Sequence, residues 1–167
     1  IMLPNNTVLQ AFRFWQVGSI GSATWENIAL ISPFLILGFV ISMLISGYLN
    51  NLALGDEAAT ALGTNVVLTR SVGALASVLL CGAATALAGP IGFIGLIIPH
   101  IVRLVFGSEM SKMLPLSFIG SGILLLLSDI IGRIIGSPGE TEVGIVTAVL
   151  GAPIFIFAIR KGRVKSL

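Results

Sequence analysis

The sequence predicts an all-α polytopic membrane protein, and its composition, charge distribution and apolar run lengths support this fold class. Of 167 residues, 56% are hydrophobic and only 10% are charged, which lies outside the range of soluble domains. The charges also fall in blocks that leave long apolar runs between them. A helix needs about 20 apolar residues to cross roughly 30 Å of hydrocarbon. Because backbone groups cannot remain unpaired in lipid, we interpret these runs as membrane-spanning helices.

Five membrane spans follow from the charge-free runs. Their expected bounds are about 27–48, 67–88, 93–107, 114–136 and 143–160. The run between residues 71 and 102 is too long for one helix, and Gly89-Pro90 divides it, because proline disrupts a helix interior. Residues 49–66 then form the loop between the first two spans. Cys81 is the single cysteine, and we expect it to be a small buried apolar residue of the second span.

The distribution of lysine and arginine predicts which loops face the cytoplasm. If the basic C-terminal stretch is cytoplasmic, seven of the nine Lys and Arg residues lie at or near the cytoplasmic side, as they prefer in membrane proteins. These seven are Arg70, Arg103, Lys112, Arg160, Lys161, Arg163 and Lys165. The loop 49–66 and the C-terminus are then cytoplasmic. The membrane topology accounts for the net charge of +2. The sequence contains no basic patch with interleaved aromatic residues, so it does not indicate nucleic-acid binding.

The loop 49–66 contains the segment most indicative of function. Gly55 separates this segment from the first span, and Asp56 and Glu57 begin a short helix at the end where negative charge is favourable. Gly63 can end the helix in the left-handed conformation. A narrow apolar face that suits a groove on a partner is predicted from Ala58, Ala59, Ala61 and Leu62. A capped surface loop without a partner is the alternative.

A non-helical turn is predicted between the second and third spans. Pro90, Gly92 and Gly95 lie in the segment GPIGFIG, which starts at Gly89. Proline and glycine disfavour a regular helix, and glycine also allows backbones to pack closely. We therefore expect an architectural role for this turn.

The third span carries two polar side chains. Pro99 precedes His100 and Arg103, which lie about one turn apart on adjoining faces. Ionisable residues within a membrane often mark function, but Arg103 is near enough to the inner end to reach lipid headgroups. We expect His100 to be structural, with a substrate or coupling role as the alternative. One histidine without nearby carboxylates or thiols supplies too few ligands for a metal site.

The fourth span contains an acidic and a basic residue on one face. Asp129 and Arg133 are four residues apart, which places them side by side on a helix. An unpaired aspartate in lipid would cost about 2.5–3.5 kcal/mol, so Asp129 should be paired or face protein. At about 1.5 Å per residue, Arg133 lies roughly 28 Å from residue 114, at the outer surface. An internal ion pair is the simplest interpretation.

Four motifs in order resemble a known family over essentially the whole chain. They are GDEAATALG at 55–63, AGPIGFIGLIIPHIVRLVFG at 88–107, LPLSFIGSGILLLLSDIIGR at 114–133 and VGIVTAVLGAPIFIFAIRKG at 143–162. Together they closely resemble the C-terminal half of the FecCD family, the permease subunits of ABC importers for ferric siderophores, haem and cobalamin. The resemblance implies about five helices of a ten-helix type II ABC importer permease. We expect the chain to begin within such a permease, near the outer end of its fifth helix.

The resemblance also implies roles for individual residues. The loop 49–66 would hold the coupling helix that contacts a separate ABC ATPase subunit through Asp56, Glu57, Ala58, Ala59, Leu62 and Gly63. Arg133 would contact an acidic residue on an extracytoplasmic substrate-binding protein. No G-x-x-x-x-G-K-[ST] motif occurs in the sequence, so ATP hydrolysis is expected on the partner subunit.

The expected function is therefore that of a transport subunit, not of an enzyme, and it requires no cofactor. The resemblance implies a multi-pass protein of the bacterial cytoplasmic membrane, paired with a second permease copy or homologue and surrounded by lipid. Its expected cargo is an iron–siderophore complex, with haem or cobalamin also possible. A secondary transporter or channel is the alternative function, and an intramembrane enzyme that uses His100 is a third.

Overall fold

The computed structural model describes residues 18, 23–135, 143–149 and 151–153, and the regular structure within these ranges is helical. Five helices run in the order α1 (Trp25–Leu52), α2 (Asp56–Ala61), α3 (Val66–Ala88), α4 (Ile94–Phe106) and α5 (Met110–Ile135). The helical residues 143–149 and 151–153 are named α6. The all-α fold class predicted from the sequence is confirmed.

Three of the helices are long and apolar enough to cross a membrane. They are α1 with 28 residues, α3 with 23 and α5 with 26. Over a segment of 18 residues, their mean hydropathies are 2.6, 1.9 and 2.0. At about 1.5 Å per residue, even the shortest covers roughly 35 Å, which exceeds the hydrocarbon thickness of about 30 Å. The first, second and fourth predicted spans therefore coincide with membrane-length helices.

The other two predicted spans are less complete. α4 has 13 residues, which cover about 20 Å and do not by themselves cross the hydrocarbon core. Pro99 lies inside α4 without ending it. For the fifth span, residues 154–160 lie outside the described ranges. A total of five spans therefore remains a prediction.

Local capping explains where the long helices begin. The Thr24 hydroxyl accepts a hydrogen bond from the Asn27 N–H at 3.3 Å and caps α1. The Asn65 side chain accepts from the Leu68 N–H at 3.0 Å and caps α3 in the same way. α5 begins at Met110, one turn before the predicted start. The prediction began later because Lys112, in the first turn of the helix, interrupts the charge-free run.

One compact unit comprises residues 24–87 and 102–118. Within it α1 and α3 approach closely at Gly38, which has no side chain. A Cβ at this position would lie only 2.8 Å from Cγ of Leu80. The rings of Phe39 and Phe118 pack with centroids 5.2 Å apart. Cys81 is exposed rather than buried, which corrects the expectation from sequence. Apolar outer surfaces are expected of helices that are surrounded by lipid or by further helices.

A second compact unit comprises residues 1–23, 88–101 and 119–167, of which the described part contains portions of α4 and α5 and all of α6. Small residues permit close packing here, as is common between membrane helices. A Cβ on Gly120 would lie 2.9 Å from Cγ2 of Ile98, and one on Gly151 would lie 2.7 Å from Cβ of Phe93. The Gly144 N–H also donates to the carbonyl of Gly18 at 3.2 Å.

Candidate functional site

The short helix α2 lies in the loop between α1 and α3, as the sequence predicts. Gly55, with φ of 104°, precedes it, and Asp56 and Glu57 occupy its first turn. Gly63 has φ of 78° and follows the last turn. The N–H groups of Gly63 and Thr64 bond to the carbonyls of Thr60 and Ala59, each at 2.9 Å. This pair of bonds is a Schellman motif, so the predicted left-handed end of the helix at Gly63 is confirmed.

The apolar residues of α2 and of its C-cap Leu62 do not form one outward face. Ala59 has no exposed surface, whereas Leu62 is 60% exposed. Ala58 is half-buried, and Glu57 and Ala61 are exposed. The narrow apolar face expected from sequence is therefore divided: Ala59 packs inward and Leu62 points outward. Only the outward residues are available to contact a partner protein.

An ion pair holds the start of α2 near α3. Arg70 donates from Nη2 to Oδ1 of Asp56 at 2.7 Å, and both side chains are more than half exposed. An exposed pair of this kind contributes about 0.2–1 kcal/mol. Asp56 therefore contacts its own chain in this structure, which leaves Glu57 as the carboxylate without this ion pair in the first turn of α2.

The turn before α4 contains two left-handed residues. Gly89 has φ of 72°, and Phe93, which is not a glycine, has φ of 67°. Pro90 lies between them, so a continuous helix is interrupted as predicted. A Cβ on Gly92 or Gly95 would meet no described atom within 4 Å. The turn does have a close backbone neighbour at Gly18, where a Cβ would lie 3.0 Å from the carbonyl oxygen of Pro90. The architectural role of the turn stays a prediction.

The polar residues of α4 differ in exposure. Arg103 is exposed and His100 is half-buried. The Nε2 atom of His100 is buried and has no hydrogen-bond partner in the described part of the chain. Within the same ranges, no group of three His, Cys, Asp or Glu side chains is arranged to hold a metal ion.

Asp129 and Arg133 form an ion pair on α5. The Arg133 Nε donates to Oδ2 of Asp129 at 2.9 Å. The Asp129 side chain is 26% exposed and that of Arg133 is 60% exposed. The predicted same-face pairing is confirmed, and more than half of the Arg133 side chain is exposed.

The sequence reasoning missed several polar contacts around α2. Asn51 donates to the hydroxyl of Thr64, and Asn50 accepts from the N–H of Met110. An Asn-Asn pair directly after an apolar run was the available signal, because amide side chains at a helix end need hydrogen-bond partners.

The family model of the FecCD transport family matches residues 1–161 of the chain. The chain belongs to this family. Its relatives include the Fe(3+)-citrate import system permease protein YfmD of Bacillus subtilis, which is 42% identical over 150 residues, 90% of this chain and 45% of YfmD. The ferric enterobactin transport system permease protein FepD of Escherichia coli is 44% identical over 162 residues, 96% of this chain and 48% of FepD.

A third relative is the hemin transport system permease protein HmuU of Yersinia pestis. It is 38% identical over 155 residues, which are 93% of this chain and 46% of HmuU. The chain thus spans about half the length of the curated relatives it matches. Among solved structures, an inward-facing conformation of an ABC transporter assigned to the metal-chelate type matches with a TM-score of 0.84 and 31% identity. That match covers 96% of this chain and 52% of the other chain. The similarity in structure agrees with the fold of an ABC transporter permease.

Proposed function

We propose that this FecCD chain provides the C-terminal half of the membrane permease in an ATP-driven importer of iron–siderophore complexes. The observation that carries the proposal is α2, a short helix with an outward Leu62 that connects two membrane-length helices. Relatives that are permeases for ferric citrate, ferric enterobactin and hemin support the substrate class. Haem and cobalamin are the other candidate cargoes.

The coupling role belongs to the outward residues of α2. Leu62 and Glu57 present an apolar and an acidic contact to a separate ATPase subunit, while Gly63 fixes the turn behind them. Ala59 packs inward and Asp56 pairs with Arg70, so we assign these two residues to holding α2 in place. A rigidly held helix transmits displacement better than a mobile loop, because its backbone hydrogen bonds are already formed.

Arg133 is proposed to contact the extracytoplasmic binding protein. Its side chain is 60% exposed although it pairs with Asp129. An acidic residue of the binding protein can form a charge-assisted hydrogen bond with the guanidinium of such an exposed arginine. In this proposal Asp129 orients the guanidinium.

The proposed location is the bacterial cytoplasmic membrane, with several helices crossing the lipid and the loop 49–66 and the C-terminus in the cytoplasm. The excess of Lys and Arg on that side supports the orientation. We propose that a second permease copy or homologue completes the transport pathway. The exposed apolar surfaces of α1, α3 and α5 suit contact with lipid or with further helices.

Reconstitution tests the proposed function directly. The full permease, its ATPase and its binding protein are placed in proteoliposomes, and uptake of radiolabelled iron is measured with ferric enterobactin, ferric citrate and hemin. We expect uptake of at least one of these that requires ATP and stops with a hydrolysis-deficient ATPase. Uptake that continues with the deficient ATPase would instead favour a secondary transporter or channel.

A further inference from the structure

Two adjacent asparagines at the end of α1 make hydrogen bonds to two different elements. Asn51 donates from Nδ2 to the hydroxyl of Thr64 at 2.9 Å. Thr64 is only 3% exposed, and its own N–H closes the C-terminal cap of α2 on the carbonyl of Ala59. Asn51 therefore connects the end of α1 to Thr64, whose N–H forms part of the C-terminal cap of α2.

Asn50 makes the second connection. Its Oδ1 accepts a hydrogen bond from the N–H of Met110, the first residue of α5, at 2.7 Å. The first N–H groups of a helix have no partner within the helix, so this side chain caps α5 from another element. One turn earlier on α1, the hydroxyls of Ser46 and Ser111 lie 3.2 Å apart and form a second link between α1 and α5.

These bonds fix relative positions in a way that the surrounding apolar contacts do not. Apolar contacts are non-directional and allow neighbouring helices to slide, whereas a hydrogen bond weakens steeply when its length or angle changes. Asparagine suits the position because its amide carries both a donor and an acceptor. Here Asn51 uses its donor and Asn50 uses its acceptor.

We propose that Asn50 and Asn51 are positioning residues that join α2 and the first turn of α5 into one mechanical body. A displacement of α2 then reaches α5 through the end of α1, and it reaches α3 through the chain connection. This inference rests on the proposed function, because it takes an ATPase as the source of the displacement.

Distance measurement by spin labels tests whether the body moves as one. The labels are placed at the exposed positions Thr60 on α2 and Lys112 on α5, in a C81A background, within the full transporter. We expect the label-to-label distance to stay the same with and without ATP in the otherwise wild-type protein. In the N50L variant ATP should shift or broaden it. A wild-type distance that changes with ATP overturns the proposal.

A coupling assay with paired variants separates positioning from general stability. N50L removes the acceptor for the Met110 N–H, whereas N50D retains it. T64V removes the hydroxyl that Asn51 bonds at nearly constant shape, whereas T64S retains it. We expect the number of substrate molecules transported per ATP hydrolysed to fall about five-fold in N50L and T64V. This is the factor by which the loss of one hydrogen bond changes the equilibrium between the linked and unlinked positions of the helices. N50D and T64S should restore it.

The outcomes distinguish this proposal from the function it rests on. Co-purification of the ATPase should be equal in all four variants, because none changes an outward residue of α2. The positioning role is overturned if N50L and T64V transport as many substrate molecules per ATP as the wild type. It is also overturned if N50D and T64S lose as much transport per ATP as N50L and T64V. If the wild-type transporter shows no ATP-dependent uptake at all, the proposed function itself is wrong.

Discussion

Replacing Gly63 with alanine tests whether the geometry of α2 depends on a left-handed residue. Gly63 has φ of 78°, a conformation that costs an ordinary L-residue about 1–2 kcal/mol. A Cβ at this position would meet no described atom within 4 Å, so steric collision with the described part of the chain adds nothing. The substitution therefore isolates the backbone cost.

The expected magnitude follows from that cost. Destabilising the cap by about 1–2 kcal/mol raises the open fraction about five- to thirty-fold. The amides of Gly63 and Thr64 report this opening, because both donate to carbonyls of α2. Hydrogen–deuterium exchange at the two amides in G63A should accelerate by the same factor, and ATP-driven uptake should fall with it.

Two further variants serve as controls for G63A. G63N should exchange nearly like the wild type, since asparagine tolerates the left-handed region better than other non-glycine residues. G47A lies in α1, where a Cβ would also be more than 4 Å from the atoms of the described ranges, and it should leave exchange at residues 63 and 64 unchanged. Equal exchange in G63A and the wild type would refute the reasoning, because the left-handed conformation would then carry no cost.

Three other predictions concern the outward surfaces and the packing. R133E should weaken binding of the substrate-binding protein at least ten-fold without changing ATPase association, and unchanged binding would remove the docking role. L62A should lower ATP-driven uptake by about ten-fold while the permease remains folded, and uptake like that of the wild type would exclude Leu62 from coupling. G151A should destabilise the protein by about 1–3 kcal/mol in thermal unfolding, because the new Cβ would lie 2.7 Å from Cβ of Phe93. G122A is the control, since a Cβ there would meet no atom of the described residues within 4 Å, and an equal effect of both variants would contradict the packing account.

The sequence predicted the parts of the fold that depend on local chemistry. Hydropathy located α1, α3 and α5, because the length of an apolar run is set by the thickness of the bilayer. The cap at Gly63 and the ion pair between Asp129 and Arg133 were also predictable, since both involve residues within one or two turns of each other.

The missed features depend on contacts between distant residues or on local strain. Asn50 and Met110 are separated by 60 positions, and nothing in the local pattern specifies their hydrogen bond. The inward packing of Ala59 was missed because an alanine-rich helix of six residues has too little periodicity to show which side faces the protein. The left-handed Phe93 was also not predicted, because a phenylalanine rarely adopts positive φ.

Cysteine accessibility tests the central claim most directly: α2 faces the cytosol and contacts an ATPase. In a C81A background, T60C places a thiol on the exposed surface of α2, and S137C places one in the predicted outer loop. In intact cells a membrane-impermeant maleimide should label S137C but not T60C. In inverted vesicles without the ATPase, T60C should be labelled. In inverted vesicles with the ATPase bound, T60C should be protected from the maleimide. Labelling of T60C from outside intact cells would contradict both the topology and the coupling mechanism.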